Sequence, residues 1–396
     1  MKYLFVGGFY NPNEIEYIIK NNSAGIQFAA DRLQWNYLRG LYENNVDVEG
    51  ISKPFLSSYP KRSKISKVQS NTYYVENIKI NQIGYCNLFA YKLLREKKIV
   101  YKAIINKIKR MRDEVTLIFY SPQSAYLDVI KKIKPKFKNL KIILIVPDLP
   151  ILTVENKKKD IRYLLRRNAQ KKLEKSKKYV DKYVFLTEGM AKWLNVPKEK
   201  YVIVEGIIPK QNSDKQYVAK HDDIINILYT GTLSARYGIM NLVDAFERIP
   251  NSNYRLIICG SGETEQKIKE YALQDKRIIY KGNLPPSEIY KLQQEASVLV
   301  NPRQNEGEYT KYSFPSKMME YLLSGTPIVC YKLDGFLEEY DEYFYYPQDN
   351  DIQSLTNKIL EVSNLDDVER ERIFYKQIAF VNINKNAKAQ VLKIIN

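Results

Sequence analysis

Short apolar runs of strand length alternate with longer amphipathic or charged stretches along most of the chain. KYLFV is followed by the amphipathic stretch from Ser23 to Tyr42, and later come VTLIFY, KIILIV, KYVFLT and YVIVEGI. Apolar runs this short, separated by helix-length segments, predict strand-helix units and a parallel sheet. From Asn226 the pattern restarts with INILYTG, a helix from Ile239 to Glu247, YRLIICGSG, a helix from Glu263 to Gln274, RIIYKG, a helix from Glu288 to Glu295, SVLVNP and TPIVCY. A second α/β domain is expected there. The last stretch, from Asp366 to Asn396, reads as one amphipathic helix that packs back on the first domain.

The segment PKQNSDKQYVAKHDD, residues 209–223, is polar, led by proline and free of either hydrophobic period, as a connection between domains is. The division expected is therefore 1–208, with the C-terminal helix of about 377–396 packed on it, and 209–376 including the linker. At 396 residues two domains also suit the usual size of a hydrophobic core.

Hydrophobic residues are 44% of the chain and aromatics 12%, enough for buried cores. Lys and Arg number 63 against 45 Asp and Glu, a formal +18, which favours anionic partners. Cys86, Cys259 and Cys330 are far apart and odd in number, so neither a disulfide framework nor a metal knuckle is expected, and a reduced cytoplasmic setting fits. MKYLFVGGFY reads as a first buried strand, because NPNEIE follows where a signal peptide needs a cleavage site. The most apolar later stretch, Ile142 to Val154, holds Asp148 and two prolines and is shorter than the ~20 residues of a membrane span.

In open α/β sheets ligands bind outside the carboxyl ends of the strands, so loops after strands carry the candidate chemistry. Gly7-Gly8 follows the first strand, and Ser23-Ala24-Gly25 is expected to open the first long helix; Gly8 and Gly25 admit a pyrophosphate or simply make tight turns. YTGTLSARYG places Gly231 after a strand, with Arg236 as a cation suited to forking diphosphate oxygens. GSGE at Gly260 and KGNLP at Lys281 are further strand-end loops.

The segment EYTKYSFPSKMMEYLLSGTPIV, from Glu308 to Val329, says most. Phe314-Pro315 ends an extended stretch, Ser316 is the expected N-cap, and Met318 to Leu323 carries the apolar face of a helix that stops before Gly325. Lys317 in the first turn is disfavoured by the helix dipole unless an anion is bound there. Glu320, one turn on, is placed to accept hydrogen bonds from ribose hydroxyls, and a solvated helical glutamate is its plainer role.

With these loops in order, the C-terminal half resembles the GT-B fold of the family-4 retaining glycosyltransferases: two facing Rossmann-like domains with mostly parallel sheets. The family pattern Gly-Arg-Leu, three residues, Lys-Gly corresponds to GTLSARYG, with Thr232 and Tyr237 at the cation positions and Arg236 as the substitute. The family's two glutamates are separated by seven intervening residues. Glu320 matches the second, and the first falls on Tyr312 by strict spacing, on Glu306 with Gly307 if the loop is lengthened, or on Glu308, which is favoured. The form Phe-Pro-Ser-Lys, three residues, Glu-Tyr is similar to segments of members that build bacterial surface polysaccharides.

The resemblance implies that Gly231, Thr232, Tyr312, Ser313, Phe314, Ser316 and Glu320 line the donor site, that the backbone at Asn283 and Leu284 receives the nucleobase, and that Arg236, Lys317 and Glu308 are catalytic. The family's His-Asp pair is reduced to Pro147-Asp148, and the single histidine, His221, lies in the linker. A front-face retaining reaction needs no histidine base, because the leaving diphosphate takes the acceptor proton while cations stabilise its charge. No cofactor and no metal are expected, as no Asp-x-Asp follows a strand.

Between Val154 and Lys182 there are twelve Lys and Arg against four Asp and Glu, with Ile161, Leu164, Leu165 and Leu173 at helical spacing. Asn87 to Arg112 repeats the pattern, with nine basic residues against one acidic. Two ordinary helices that pack their apolar faces inward and solvate their lysines are the plainer reading; an anionic leaflet is favoured over it, and over nucleic acid, since base-stacking aromatics are not interleaved with these segments. The function expected is a peripheral enzyme at the inner face of the membrane that moves a sugar from a UDP-sugar to a glycan acceptor, a lipid-linked surface-polysaccharide precursor. The alternatives are a non-catalytic GT-B partner subunit and a sugar-nucleotide epimerase, which the lone His221 disfavours.

Overall fold

The computed structural model describes residues 1–23, 26–111, 114–137, 139–150, 161–208, 215–219 and 223–396. Two compact units divide the chain: Met1–Pro209 with Ala387–Asn396, and Lys210–Asn386.

The first unit is built on eight strands: β1 (Lys2–Gly7), β2 (Asp47–Ser52), β3 (Asn71–Val75), β4 (Ile78–Gln82), β5 (Val115–Tyr120), β6 (Lys141–Val146), β7 (Lys182–Phe185) and β8 (Tyr201–Ile203). They lie in the order β8-β7-β6-β5-β1-β2-β4-β3. All neighbours are parallel except β3 with β4. The central strands read as continuous apolar runs because both faces are covered. Every residue of β5 is buried, as is β6 after Lys141. The antiparallel edge comes from a two-residue turn in which Glu76 (φ 50°) and Asn77 (φ 66°) are both left-handed, the geometry that suits a tight hairpin.

The first long helix runs Phe28–Glu43, so Ser23 precedes it instead of opening it. Ser23 Oγ donates to the Arg62 carbonyl at 3.1 Å, and Gly25 lies outside the described residues. Helix Phe89–Ile108 is divided lengthwise. Its second half buries Val100, Ile104 and Ile108, while Phe89, Leu93 and Leu94 in its first half are 64%, 60% and 79% exposed. A buried apolar face therefore exists only over the later turns. In the basic helix Ile161–Ser176, Leu173 is buried and Leu164 exposed; residues 151–160 are outside the described set.

The stretch read as one terminal helix is two, Asp367–Asn384 and Ala387–Ile395. Between them the Lys385 side chain is fully enclosed, its ammonium 2.6 Å from Glu339 Oε1 and over the Tyr340 ring. Helix Ala387–Ile395 packs on helix Phe28–Glu43 in the first unit. Gly40 permits that approach, since a Cβ there would lie 2.3 Å from the Ala387 carbonyl oxygen. Lys182 Nζ caps the end of the returning helix through the carbonyls of Lys393 and Ile394 at 2.9 and 3.0 Å.

The second unit holds six strands, all parallel: β9 (Ile225–Thr230), β10 (Tyr254–Cys259), β11 (Ile278–Gly282), β12 (Val298–Asn301), β13 (Ile328–Cys330) and β14 (Phe344–Tyr345), in the order β11-β10-β9-β12-β13-β14. Helices Ile239–Glu247, Glu265–Gln274 and Pro286–Glu295 alternate with them. The third begins two residues earlier than expected, on a proline that a helix start accommodates. Among the described residues no helix is long and apolar enough to cross a membrane.

Candidate functional site

Because the six strands are parallel, the loops after β9, β10, β11 and β12 meet at one edge of the sheet. Gly231 leaves β9 with φ +140°, a conformation that favours glycine, and a Cβ there would stand 3.2 Å from Lys317 Nζ. Its N–H donates to the Cys259 carbonyl at the end of β10. Asn283, after β11, is exposed and donates to Ser261 Oγ at 3.1 Å, with Leu284 half-buried beside it. Thr232 is exposed, and its carbonyl accepts the Tyr229 hydroxyl at 2.8 Å.

Lys317 begins helix Lys317–Ser324 and points back to the end of β9. The residue as a whole is half-buried, but Nζ is enclosed and has no hydrogen-bond partner. It stands 3.8 Å from the centroid of the Tyr229 ring. Burial, with the nearby charge of Arg303 and against that of Glu320, pushes its pKa down to about 7. An enclosed ammonium without an acceptor is costly, and a bound anion removes that cost. Glu320 is half-buried one turn on and acts on Lys317 through its charge. Tyr321, one turn beyond Lys317 on the same helix face, reaches the same strand end, where its hydroxyl accepts the Thr230 N–H at 3.0 Å and so ties the helix to β9.

Ser316 precedes the helix in an αR conformation and makes no side-chain cap bond, so the expected N-cap contact is not formed. Phe314 is buried against Phe336 and Tyr340, with ring centroids 5.5 and 5.3 Å away. Its ring therefore belongs to an aromatic core and anchors the loop. Glu306 and Glu308 are both exposed, and Glu308 opens the 3-10 turn Glu308–Tyr312, with Tyr312 half-buried at its end.

Arg236 is exposed on the short turn Ala235–Tyr237 after β9, and Tyr309 holds it. Two residues emerge here that sequence reading missed. Tyr309 is one. The other is Arg303, two residues beyond β12, which is only 6% exposed. Its Nη2 donates to Ser313 Oγ at 2.7 Å, and its guanidinium carbon lies 4.6 Å from the Tyr309 ring centroid. A cation just past a strand end was the available signal.

The structure thus brings together Gly231, Arg236, Ser313, Lys317 and Glu320. In the first unit, the Gly8 N–H is taken by Gln34 Oε1 at 2.8 Å, and a Cβ at Gly8 would meet the Phe55 ring. That glycine serves close packing. Asp148 is exposed after β6, and His221 lies outside the described residues. Among the described residues no group of three His, Cys, Asp or Glu side chains is arranged to hold a metal ion.

Residues 210–378 match the family described as Glycosyl transferases group 1. No curated protein sequence matches the chain. Solved structures match it over its whole length. The lipopolysaccharide outer core galactosyltransferase WaaB, in its apo form, is 15% identical with a TM-score of 0.61, the match covering 100% of this chain and 98% of that one. The catalytic domain of starch synthase IV from Arabidopsis thaliana, bound to ADP and acarbose, gives 10%, 0.66, and coverage of 100% and 98%. HepE from Anabaena, in complex with UDP, gives 12%, 0.57, and coverage of 100% and 98%. At these identities the likeness is one of fold. Residues 210–378 are thus a group 1 glycosyltransferase domain, set in a chain of the GT-B fold.

Proposed function

We propose that the chain transfers a sugar, with retention of configuration, from a UDP-sugar to a glycan acceptor carried on a lipid at an anionic membrane surface. The observation that carries the donor half is the enclosed, unpartnered Lys317 Nζ beside Gly231 at the carboxyl edge of β9. A nucleoside diphosphate is the anion whose position there suits a strand-end glycine and a helix N-terminus together. Glu320 would accept the ribose hydroxyls. Structures of the same fold hold UDP or ADP, and one acts on the lipopolysaccharide core, which favours a nucleotide donor and a membrane-borne acceptor.

In the reaction proposed, the bond between the anomeric carbon and the diphosphate oxygen breaks while the acceptor oxygen bonds to the same face of the sugar. The acceptor's proton passes to the departing diphosphate, whose growing charge meets Lys317 and Arg236. Lys317 contributes most where desolvated, because charge interactions strengthen away from water.

The membrane half rests on the exposed first turns of helix Phe89–Ile108. Leu93, Leu94 and Phe89 protrude there beside Arg95 and Lys98, and the helix's one acidic residue, Glu96, is drawn inward to Lys53 at 2.5 Å. Apolar side chains flanked by free cations suit the interface of an anionic bilayer. Incubating the purified chain with a panel of UDP-sugars, with and without glycolipid extract, tests the function. UDP release that rises with acceptor, and a product whose anomeric configuration equals the donor's by NMR, are expected. A chain that binds UDP-sugars but never consumes them would make it a non-catalytic partner subunit.

A further inference from the structure

Arg303 is buried, and its Nε is enclosed without a hydrogen-bond partner. Its Nη2 donates to Ser313 Oγ at 2.7 Å. Two tyrosine rings flank the guanidinium, Tyr309 at 4.6 Å and Tyr237 at 5.6 Å from its carbon. Among the described residues neither Arg303 nor Lys317 forms an ion pair. The two cations nevertheless feel each other's charge.

A protein interior tolerates a buried cation when it is paired, and two unpaired like charges at one strand edge oppose each other as well as being desolvated. A third positive side chain, Arg236, adds to the same field and bears on Arg303. What offsets all three is an anion carrying more than one negative charge. Tyr237 occupies the position where the family pattern places a lysine, and its ring lies against Arg303.

We infer that Arg303, supplied by the loop after β12, is the second cationic contact to the donor's diphosphate and replaces the one that position 237 lacks. Tyr237 and Tyr309 hold its planar fork in place, and Nε, left free by Ser313, is the donor that remains for a phosphate oxygen. Arg303 is then a binding residue of the site, and Arg236, on the exposed side of Tyr309, closes over the same anion. This rests on the donor site proposed above.

The test uses two probes, UDP and inorganic pyrophosphate, titrated by calorimetry into the wild type, Arg303→Met and Arg303→Lys. Arg303→Met is expected to weaken both by roughly ten- to a hundredfold, the usual range for losing a charge-assisted contact. Arg303→Lys should recover part of it. Titration near pH 8 in buffers of different ionisation heat adds a second readout, because burial, Arg303 and the opposing Glu320 together hold Lys317 below its ordinary range. Wild type is expected to take up protons on binding UDP, and Arg303→Met to take up fewer, since Lys317 then starts more protonated. That number reads the charge coupling between Arg303 and Lys317, and the affinities for the two probes read the contact to phosphate. Should Arg303→Met fold poorly, the Nε–H resonance of Arg303 in the wild type decides: it is expected to shift on adding pyrophosphate. Binding by wild type with an unmoved Arg303 resonance, or with undiminished affinity in Arg303→Met, overturns this assignment alone. Failure of wild type to bind either probe overturns the donor site with it.

Discussion

Tyr309 grips Arg236 at two points. Its ring centroid lies 3.7 Å from the guanidinium carbon, and its hydroxyl donates to the Arg236 backbone carbonyl at 3.0 Å. An arginine on a short exposed turn would otherwise sample many rotamers, so Tyr309 restricts it to the strand edge where Lys317 waits. Tyr309→Leu removes both contacts. A cation-π contact of this kind is worth about 0.5–2 kcal/mol, so turnover should fall roughly two- to thirtyfold. Tyr309→Phe, which keeps the ring, should lose less. Steady-state kinetics on the two variants checks the order, and equal losses would deny the ring its part.

Glu320→Gln is expected to weaken UDP binding about tenfold, because a carboxylate accepts ribose hydroxyls more strongly than an amide does. The melting temperature should hardly change, since the residue is half-buried on a helix whose core face is made by Met318, Tyr321 and Leu322. Calorimetric titration with UDP measures it. Unchanged affinity in a folded variant would remove Glu320 from the ribose site.

Lys317 links the site to pH. Its pKa is pushed down to about 7 by burial, so in the free protein the ammonium is charged below that value and neutral above it. A bound diphosphate draws the proton back. Affinity for a UDP-sugar, whose diphosphate does not titrate near neutrality, should be highest below about pH 7 and fall up to tenfold per unit above it. Lys317→Arg should flatten that profile. The same residue lowers stability: unfolded chains keep the ammonium charged up to its ordinary value of 10.5, so the folded state is penalised fully below about pH 7 and progressively less toward 10.5. Lys317→Met should therefore raise the melting temperature most at neutral or lower pH. A lowered melting temperature would mean that Lys317 supports the fold.

The two sheets were legible because buried parallel strands such as VTLIFY and KIILIV differ so plainly from the stretches between them. The helix that carries Lys317 and Glu320 was legible because the proline before it and its apolar face fix it locally. Arg303 and Tyr309 were not. Each matters through partners on other loops, Tyr237 and Ser313 for the one and Arg236 for the other, and no local period encodes such meetings. Helix Phe89–Ile108 shows a further limit. Apolar residues at helical spacing read alike whether a core covers them, as at Val100 and Ile104, or solvent does, as at Leu93 and Leu94.

Those exposed leucines give the membrane prediction. Replacing Phe89, Leu93 and Leu94 by serine, or Arg95, Lys98, Arg166, Arg167 and Lys171 by glutamine, should each reduce co-sedimentation with anionic vesicles, the second set losing about 1 kcal/mol per charge near the surface. Wild-type binding should rise with anionic lipid and fall with salt, because exposed charges are screened within about 8 Å. Hydrolysis of the soluble donor should persist in both sets. Equal binding to neutral vesicles would leave only the apolar contact.

The central claim is a nucleotide-sugar site organised around Lys317. The most direct measurement is UDP release from a panel of UDP-sugars by the purified chain and its Lys317→Met variant, side by side. Release from at least one donor by the wild type, lowered at least about a hundredfold in a variant that melts no lower at pH 7, is the predicted result. A variant as active as the wild type would contradict it.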